Sequence, residues 1–342
     1  MADRGKAQEP LTMEQAMEGL PKEFAFFADR WRTAIQPQLV DLEDERVAAV
    51  KKQRNFIIIG VLVGIAIFAA FAFFIPEDGL IFGGFIGVFA ALGMGAWGSM
   101  ALNKLGQRTK LMLVEPVTGE FGMSYQLSPG APEEISHMRS LGLVPSWDRA
   151  KYEDRLDGQR GDAPYTFFEA HLEEKRTTTD SKGRTRTTWV TVFRGQCLAV
   201  KFHKPFNGVT KVYRDMGAFN WLSKFGVKEQ RIRLEDPVFE KAFEVYGSDQ
   251  IEARYLLTPD FMERLLGLER TFQGKQLRCA FAGGEMLLAV AGKNLLESGS
   301  MHRSMDDLGR VREMLQDFAA IFLLIDAMSQ KLTPDALRNP VA

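Results

Sequence analysis

The residues best suited to chemistry are widely scattered along this 342-residue chain. Four histidines, His137, His171, His203 and His302, stand far apart. None has the i, i+4 spacing that places two metal ligands on one helical face. Cys197 and Cys279 are the only cysteines. Without paired spacing they predict neither a disulfide framework nor a zinc site, and both read as small core residues. Gly292-Lys293 lacks the upstream glycine and the following Ser/Thr of a phosphate loop, and no Gly-x-Ser-x-Gly elbow, zincin or kinase signature occurs. The acidic pair Glu235-Asp236 is explained by helix capping. Asp249, Glu252 and Arg254 beside Tyr255 read as a local ion-pair network. No catalytic, cofactor-binding or metal-ligating residue is assigned, and no cofactor is expected.

One charge feature stands above this background. Lys175, Arg176, Lys182, Arg184 and Arg186 crowd the tip of an expected β-hairpin, diluted by Asp180. Lysine and arginine at such a place either guard a sheet edge or meet an anionic surface, the inner leaflet or an acidic partner. The formal net charge of −1 gives no electrostatic reason to expect nucleic acid.

The elements that carry these residues divide sharply by composition. Phe56 to Ile75 and Leu80 to Leu102 contain no Asp, Glu, Lys, Arg or His. At 1.5 Å per residue, helices of about 20 residues cross the roughly 30 Å hydrocarbon core, so the pair reads as a transmembrane helical hairpin turned by Pro76, Glu77, Asp78 and Gly79. Arg46, Lys51, Lys52 and Arg54 precede it; Lys104, Arg108 and Lys110 follow; the turn holds no basic residue. Short loops follow the positive-inside bias, which places both termini in the cytoplasm. Gly60, Gly64, Gly83, Gly84 and Gly87 are candidates for close helix–helix packing, within the hairpin or onto a partner.

Residues 1–20 are polar and expected to be flexible. From 21 to 55, Phe24, Phe27, Trp31, Ile35, Leu39 and Leu42 recur at helical spacing as an amphipathic juxtamembrane helix, restarted near Gln36 by Pro37. Its apolar face is expected either on the membrane or against the protein's own cytosolic domain. A segment rich in Pro and Gly follows Lys110, then a helix from Pro132 to about Leu141. The period changes to two at Tyr165: strands from there to Thr179 and from Thr185 to Phe193 predict a hairpin, with Trp189, Thr191 and Phe193 on one face. Cys197 to His203 and Val209 to Tyr213 extend it as a meander. Asp236-Pro237 and Thr258-Pro259 open helices. Gln276 to Phe281 and Glu285 to Ala291 form a second hairpin. A last helix begins at Ser304 and runs to about Lys331. The fold class is α+β: a transmembrane α-helical hairpin over 56–102 followed by a cytosolic domain over 111–342 with antiparallel sheet and packed helices.

Several stretches carry a resemblance: Phe27 to Arg46 with Pro37-Gln38-Leu39, the close apolar pair, Val192-Phe193-Arg194-Gly195 to Lys204-Pro205-Phe206, and Leu234-Glu235-Asp236-Pro237 through Ala253-Arg254-Tyr255 to Pro259. In these the chain resembles a bacterial family of membrane-anchored proteins carrying a domain of unknown function. The resemblance implies a bacterial cytoplasmic (inner) membrane protein but transfers no active-site residues. The reading is a membrane-anchored interaction or assembly module. Its expected partners are the lipid bilayer and a membrane protein or second copy. The alternative is a membrane-associated enzyme acting on a lipid-proximal substrate through a site assembled from dispersed residues.

Overall fold

The computed structural model describes residues 11–75, 79–181, 183–201, 206–214, 229–271 and 276–329. The expected turn residues Pro76, Glu77 and Asp78, the basic Lys182, and His203 lie outside them. The chain divides into two compact units: Met1–Val117 with Glu297–Leu315, and Thr118–Leu296 with Gln316–Ala342.

The first unit is helical. Helix α1 (Met13–Met17) forms in the stretch expected to be flexible, because Thr12 and Gln15 make a reciprocal capping box. A 3-10 turn (Lys22–Phe24), α2 (Phe27–Arg30), a π-helical turn (Trp31–Ile35) and α3 (Gln36–Asp41) follow. Pro37 sits in the first turn of α3, where no backbone N–H is needed, so the helix restarts there as expected. Phe24, Phe27, Trp31, Ile35, Leu39 and Leu42 are all buried, which selects packing within the protein over a membrane-lying face.

Helices α4 (Glu43–Phe74) and α5 (Gly79–Glu120) are each long and apolar enough to cross a membrane. Ile58, Leu62, Ile65, Phe85, Phe89 and Leu92 point outward and are exposed, so the surface of the pair is hydrocarbon. Helix α5 does not stop near Leu102. Its 42 residues span about 63 Å, and Leu105, Leu113, Val114 and Val117 give the extension a buried stripe. That burial carries the helix through Pro116, which the sequence reading took as part of a connecting segment.

A loop before the last helix is pinned to the foot of α4. Glu43 Oε2 accepts from Met305 N at 3.0 Å. Arg46 holds Glu43 through two bonds, at 3.0 and 2.6 Å, and donates to Met301 O at 3.1 Å. The buried Arg310 donates to Ser300 O at 3.0 Å and Ser304 O at 3.3 Å. Helix α10 (Leu308–Ser329) starts later than expected, since Asp307 is the residue that caps it, accepting from Gly309 N at 3.0 Å.

The second unit is built on a nine-stranded antiparallel sheet in the order β1-β2-β3-β4-β9-β8-β5-β7-β6. Its strands are β1 (Ser124–Gln126), β2 (Arg149–Arg160), β3 (Ala163–Thr179), β4 (Thr185–Lys201), β5 (Thr210–Arg214), β6 (Gln230–Ile232), β7 (Phe243–Gly247), β8 (Leu277–Ala282) and β9 (Glu285–Ala291). Two expected strands, Thr185 to Phe193 and Cys197 onward, are one strand. The meander is interrupted because the β8–β9 hairpin inserts between β4 and β5. Helix α6 (Glu133–Ser140) places Ile135 and Met138 on the face formed by Phe168, Ala170, Leu172, Cys197, Leu287 and Ala289. Short helices α7 (Pro237–Ala242) and α8 (Gln250–Leu256) precede α9 (Pro259–Thr271). Phe261 of α9 meets Phe281 of β8 on the other face, at 5.5 Å between ring centres. The C-terminal half of α10 is fixed by Arg160, which stacks over Phe322 at 4.4 Å and holds Asp326 through Nη2–Oδ2 at 2.6 Å.

Candidate functional site

The basic residues sit on a two-stranded arm. Strand β2 pairs with β3 only as far as Arg149 opposite Glu173. Strand β9 pairs with β4 only from Gly195 opposite Ala291. Beyond those points residues 174–179 and 185–190 pair with each other alone among the described residues. The arm is about 20 Å long at 3.3 Å per residue, and residues 175–181 and 183–189 are all exposed.

A bulge separates the arm from the base. Leu172 pairs with Phe193 but Glu173 pairs with Thr191, so Val192 is the extra residue. It resets the alternation. Phe193 joins the core, whereas Trp189 stays 41% exposed. The expected shared face of Trp189, Thr191 and Phe193 is therefore broken.

Opposed pairs on the arm define two faces. One carries Lys175 opposite Trp189, Thr177 opposite Thr187, and Thr179 opposite Thr185; the other carries Arg176 opposite Thr188 and Thr178 opposite Arg186. Arg184 precedes Thr185 and so alternates to the second face, where its Nε pairs with Asp180 at 3.0 Å. Arg176 pairs with Glu174 at 3.0 Å. Lys175 and Arg186 have no acidic partner among the described residues. The second face thus holds three arginines against two carboxylates. At the root of the arm, the Arg149 guanidinium lies 4.3 Å over the Trp189 ring and holds the Glu173 carboxyl below its usual range.

A polar cleft of about 300 Å³ opens near the start of α6, lined by Glu134, Asp157, Tyr165, Thr166, Lys201 and Glu285. Asp157 is engaged by Arg155 at 2.7 and 2.9 Å and by the Thr166 hydroxyl at 2.7 Å. The Tyr165 hydroxyl is turned to Met123 Sδ at 2.6 Å, and burial pushes its pKa up. The cleft as built can hold a polar group; it does not set a base beside a nucleophile. Sequence reading did not find it. Its residues come from α6 and strands β2, β3, β4 and β9, and no local pattern joins them.

The other candidates are dispersed. Cys197 lies opposite Ala289 and Cys279 opposite Leu288, so the two cysteines point to opposite faces of the sheet. Burial pushes both thiols up. His171 bonds Thr191 at 2.8 Å. Among the described residues, no group of three His, Cys, Asp or Glu could hold a metal ion. The patch at 249–255 is a set of backbone caps rather than ion pairs. Asp249 accepts from Ile251 N and Glu252 N, Glu252 accepts from Asn207 N at 2.8 Å and Gly208 N at 2.7 Å, and Arg254 donates to Arg233 O.

The glycines of the helical hairpin are not equivalent. A Cβ on Gly64 would lie 2.7 Å from Gly87 O, and one on Gly87 would lie 2.5 Å from Gly64 O. A Cβ on Gly60 would lie 3.1 Å from Ala91 O, and one on Gly83 would lie 2.6 Å from Phe71 Cβ. Gly84 meets only Phe68 Cδ2, at 4.0 Å. Gln53 Nε2 bonds Ser99 Oγ across the pair at 2.8 Å.

Residues 191–330 match a family described as "Protein of unknown function (DUF3137)". The motifs from Val192 and from Leu234 to Pro259 that carried the resemblance fall within it. A comparison with curated proteins gives no match. Among solved structures, the crystal structure of the mycobacterial trehalose monomycolate transport factor A, TtfA, is similar at 11% identity, over 64% of this chain and 93% of that chain, with a TM-score of 0.29. A likeness at that level carries no argument about fold or function.

Proposed function

We propose that the chain is a membrane-anchored interaction or assembly module of the bacterial inner membrane, with both termini and the 111–342 region in the cytoplasm. The observation that carries this reading is the helical pair α4–α5. Its outward side chains are apolar, its helices meet through glycine, and its flanking basic residues lie at the ends away from the turn. A helix satisfies its own backbone bonds, so such a pair can leave water. The sheet unit supplies the surface for a partner, and the basic arm, with Lys175, Arg176, Lys182, Arg184 and Arg186, is its anionic-surface contact. The partners are the bilayer itself and a membrane protein or a second copy.

Two measurements test this. The chain should stay in the membrane fraction after an alkaline wash. A cysteine placed at Asp78 should react with an impermeant maleimide on intact cells, whereas one placed at Ala342 should react only after lysis. Release by the wash would remove the anchor, and labelling at Ala342 from outside would reverse the topology. Affinity purification after cross-linking in native membranes then identifies what the sheet unit holds.

A further inference from the structure

The arm has an open edge. On the β3 side, the first free position is already occupied: Asp148 Oδ2 accepts from Lys175 N at 2.7 Å, and Asp148 N donates to Glu173 O at 2.9 Å. On the β4 side, the last bond is Gly292 N to Arg194 O at 2.9 Å. From Thr191 back to Thr185 no strand lies beyond β4 among the described residues. That stretch is threonine, arginine, tryptophan and valine, residue types suited to strands with one exception, the charge at Arg186. A two-stranded hairpin with neither face buried is marginal in water, and its unpaired edge is a template for another strand.

We propose that the β4 edge from Thr185 to Thr191 takes up an extended, acidic segment of a partner protein as an added antiparallel or parallel strand. Main-chain bonds supply the affinity, and the alternation of β4 supplies the selectivity. A strand beside it presents every second side chain to Arg186, Thr188 and Val190, and the others to Thr187 and Trp189. The first set suits carboxylates, because Arg186 has no acidic partner among the described residues; the second suits β-branched or apolar side chains. The occupant is not a flat anionic membrane. Lys175 and Arg186 face opposite ways, and the arginine-rich face carries only one charge in excess of its carboxylates. It is not a second copy either, since two such arms would bring like charges together. The inference deepens the interaction-module reading and rests on it.

The test uses the full chain in nanodiscs of neutral phosphatidylcholine. The probe is a fluorescent ten-residue peptide of alternating valine and glutamate. The controls are its lysine-for-glutamate counterpart and a version interrupted by two central prolines. The acidic peptide should bind, and it should slow amide exchange across 185–191 more than across 174–179. Arg186→Glu should weaken binding about fivefold or more, and Arg186→Lys should largely restore it. Equal binding of the basic or proline-interrupted peptide would overturn the proposal. So would protection of the arm by anionic nanodiscs alone, which indicates the membrane, or protection that rises with protein concentration, which indicates a second copy. Each of these failures leaves the alkaline-wash and labelling results untouched, so the anchor stands or falls separately.

Discussion

The molecule contains two hairpins that are exposed in opposite ways. The helical hairpin α4–α5 shows apolar side chains outward, and its apolar stretches are continuous helix, which bonds its backbone groups internally. The β-hairpin β3–β4 is buried on both faces at its base, through Phe167, Phe168, Ala170 and Leu172, and bare at its arm. There the side chains are threonine and arginine, and the outer backbone edge of β4 is open. Only the first can enter hydrocarbon, where an unpaired backbone group costs several kcal/mol. The second needs water or another strand. Exposure is therefore compatible with hydrocarbon in one place and with water or an added strand in the other, and the backbone rather than the hydropathy of the tip decides which.

The contrast can be broken first at the base of the β-hairpin. Phe168→Ala removes a wholly buried ring and should cost about 3–5 kcal/mol in denaturant unfolding followed by circular dichroism. A loss below about 1 kcal/mol would mean that the base is not held by burial. In the helical hairpin, Gly64→Leu must push aside the Gly87 carbonyl and should cost about 1–3 kcal/mol in unfolding by rising dodecyl sulfate fraction. Gly84→Leu should stay within about 0.5 kcal/mol. Equal effects would show that the helices do not meet along the Gly64–Gly87 line.

The foot of the helical hairpin gives a pH signature. The Arg46 guanidinium and the Met305 N–H hold the Glu43 carboxyl below its ordinary value. A group whose folded pKa is lowered stabilises the protein above its unfolded pKa, and that contribution fades as the pH falls through the lowered folded value. Glu43→Gln should therefore lower the melting temperature at pH 7 and narrow the gap to the parent as the medium becomes acid. The smallest effect belongs to the arm. Trp189→Ala loses a stacking contact with Arg149 and should cost about 0.5–1 kcal/mol, while raising amide exchange only beyond Glu173. If it unfolded the base as well, arm and base would be one cooperative element.

Much of the fold was legible where a pattern repeats locally. Six apolar residues from Phe24 to Leu42 mark one helical face, and all six are buried. Asp236 and Thr258 announce helix starts, and both side chains accept from the first turn as their types predict. Gly283 and Gly284, at φ of +63° and +80°, turn the β8–β9 hairpin that their position suggested. The basic arm was also visible as composition. What it lacked was an outline: a bulge at Val192 is a register property of two strands, and no residue type encodes it.

The sequence by itself determined which segments are long and apolar enough to cross a membrane, the α+β order of elements, and that no local catalytic or metal-binding motif is written in the chain. Those are properties of neighbours in the chain, set by side-chain transfer energies and the two backbone periods. The tertiary structure decided the rest. It carried α5 through Pro116 by burying Leu113, Val114 and Val117, and it placed β9 rather than β5 beside β4. It put the two cysteines on opposite faces, gathered Glu134, Asp157 and Glu285 around one cleft, and left the β4 edge open. Each of these depends on which distant segment competes best for a backbone edge or an apolar face, and that competition is settled only among all segments at once.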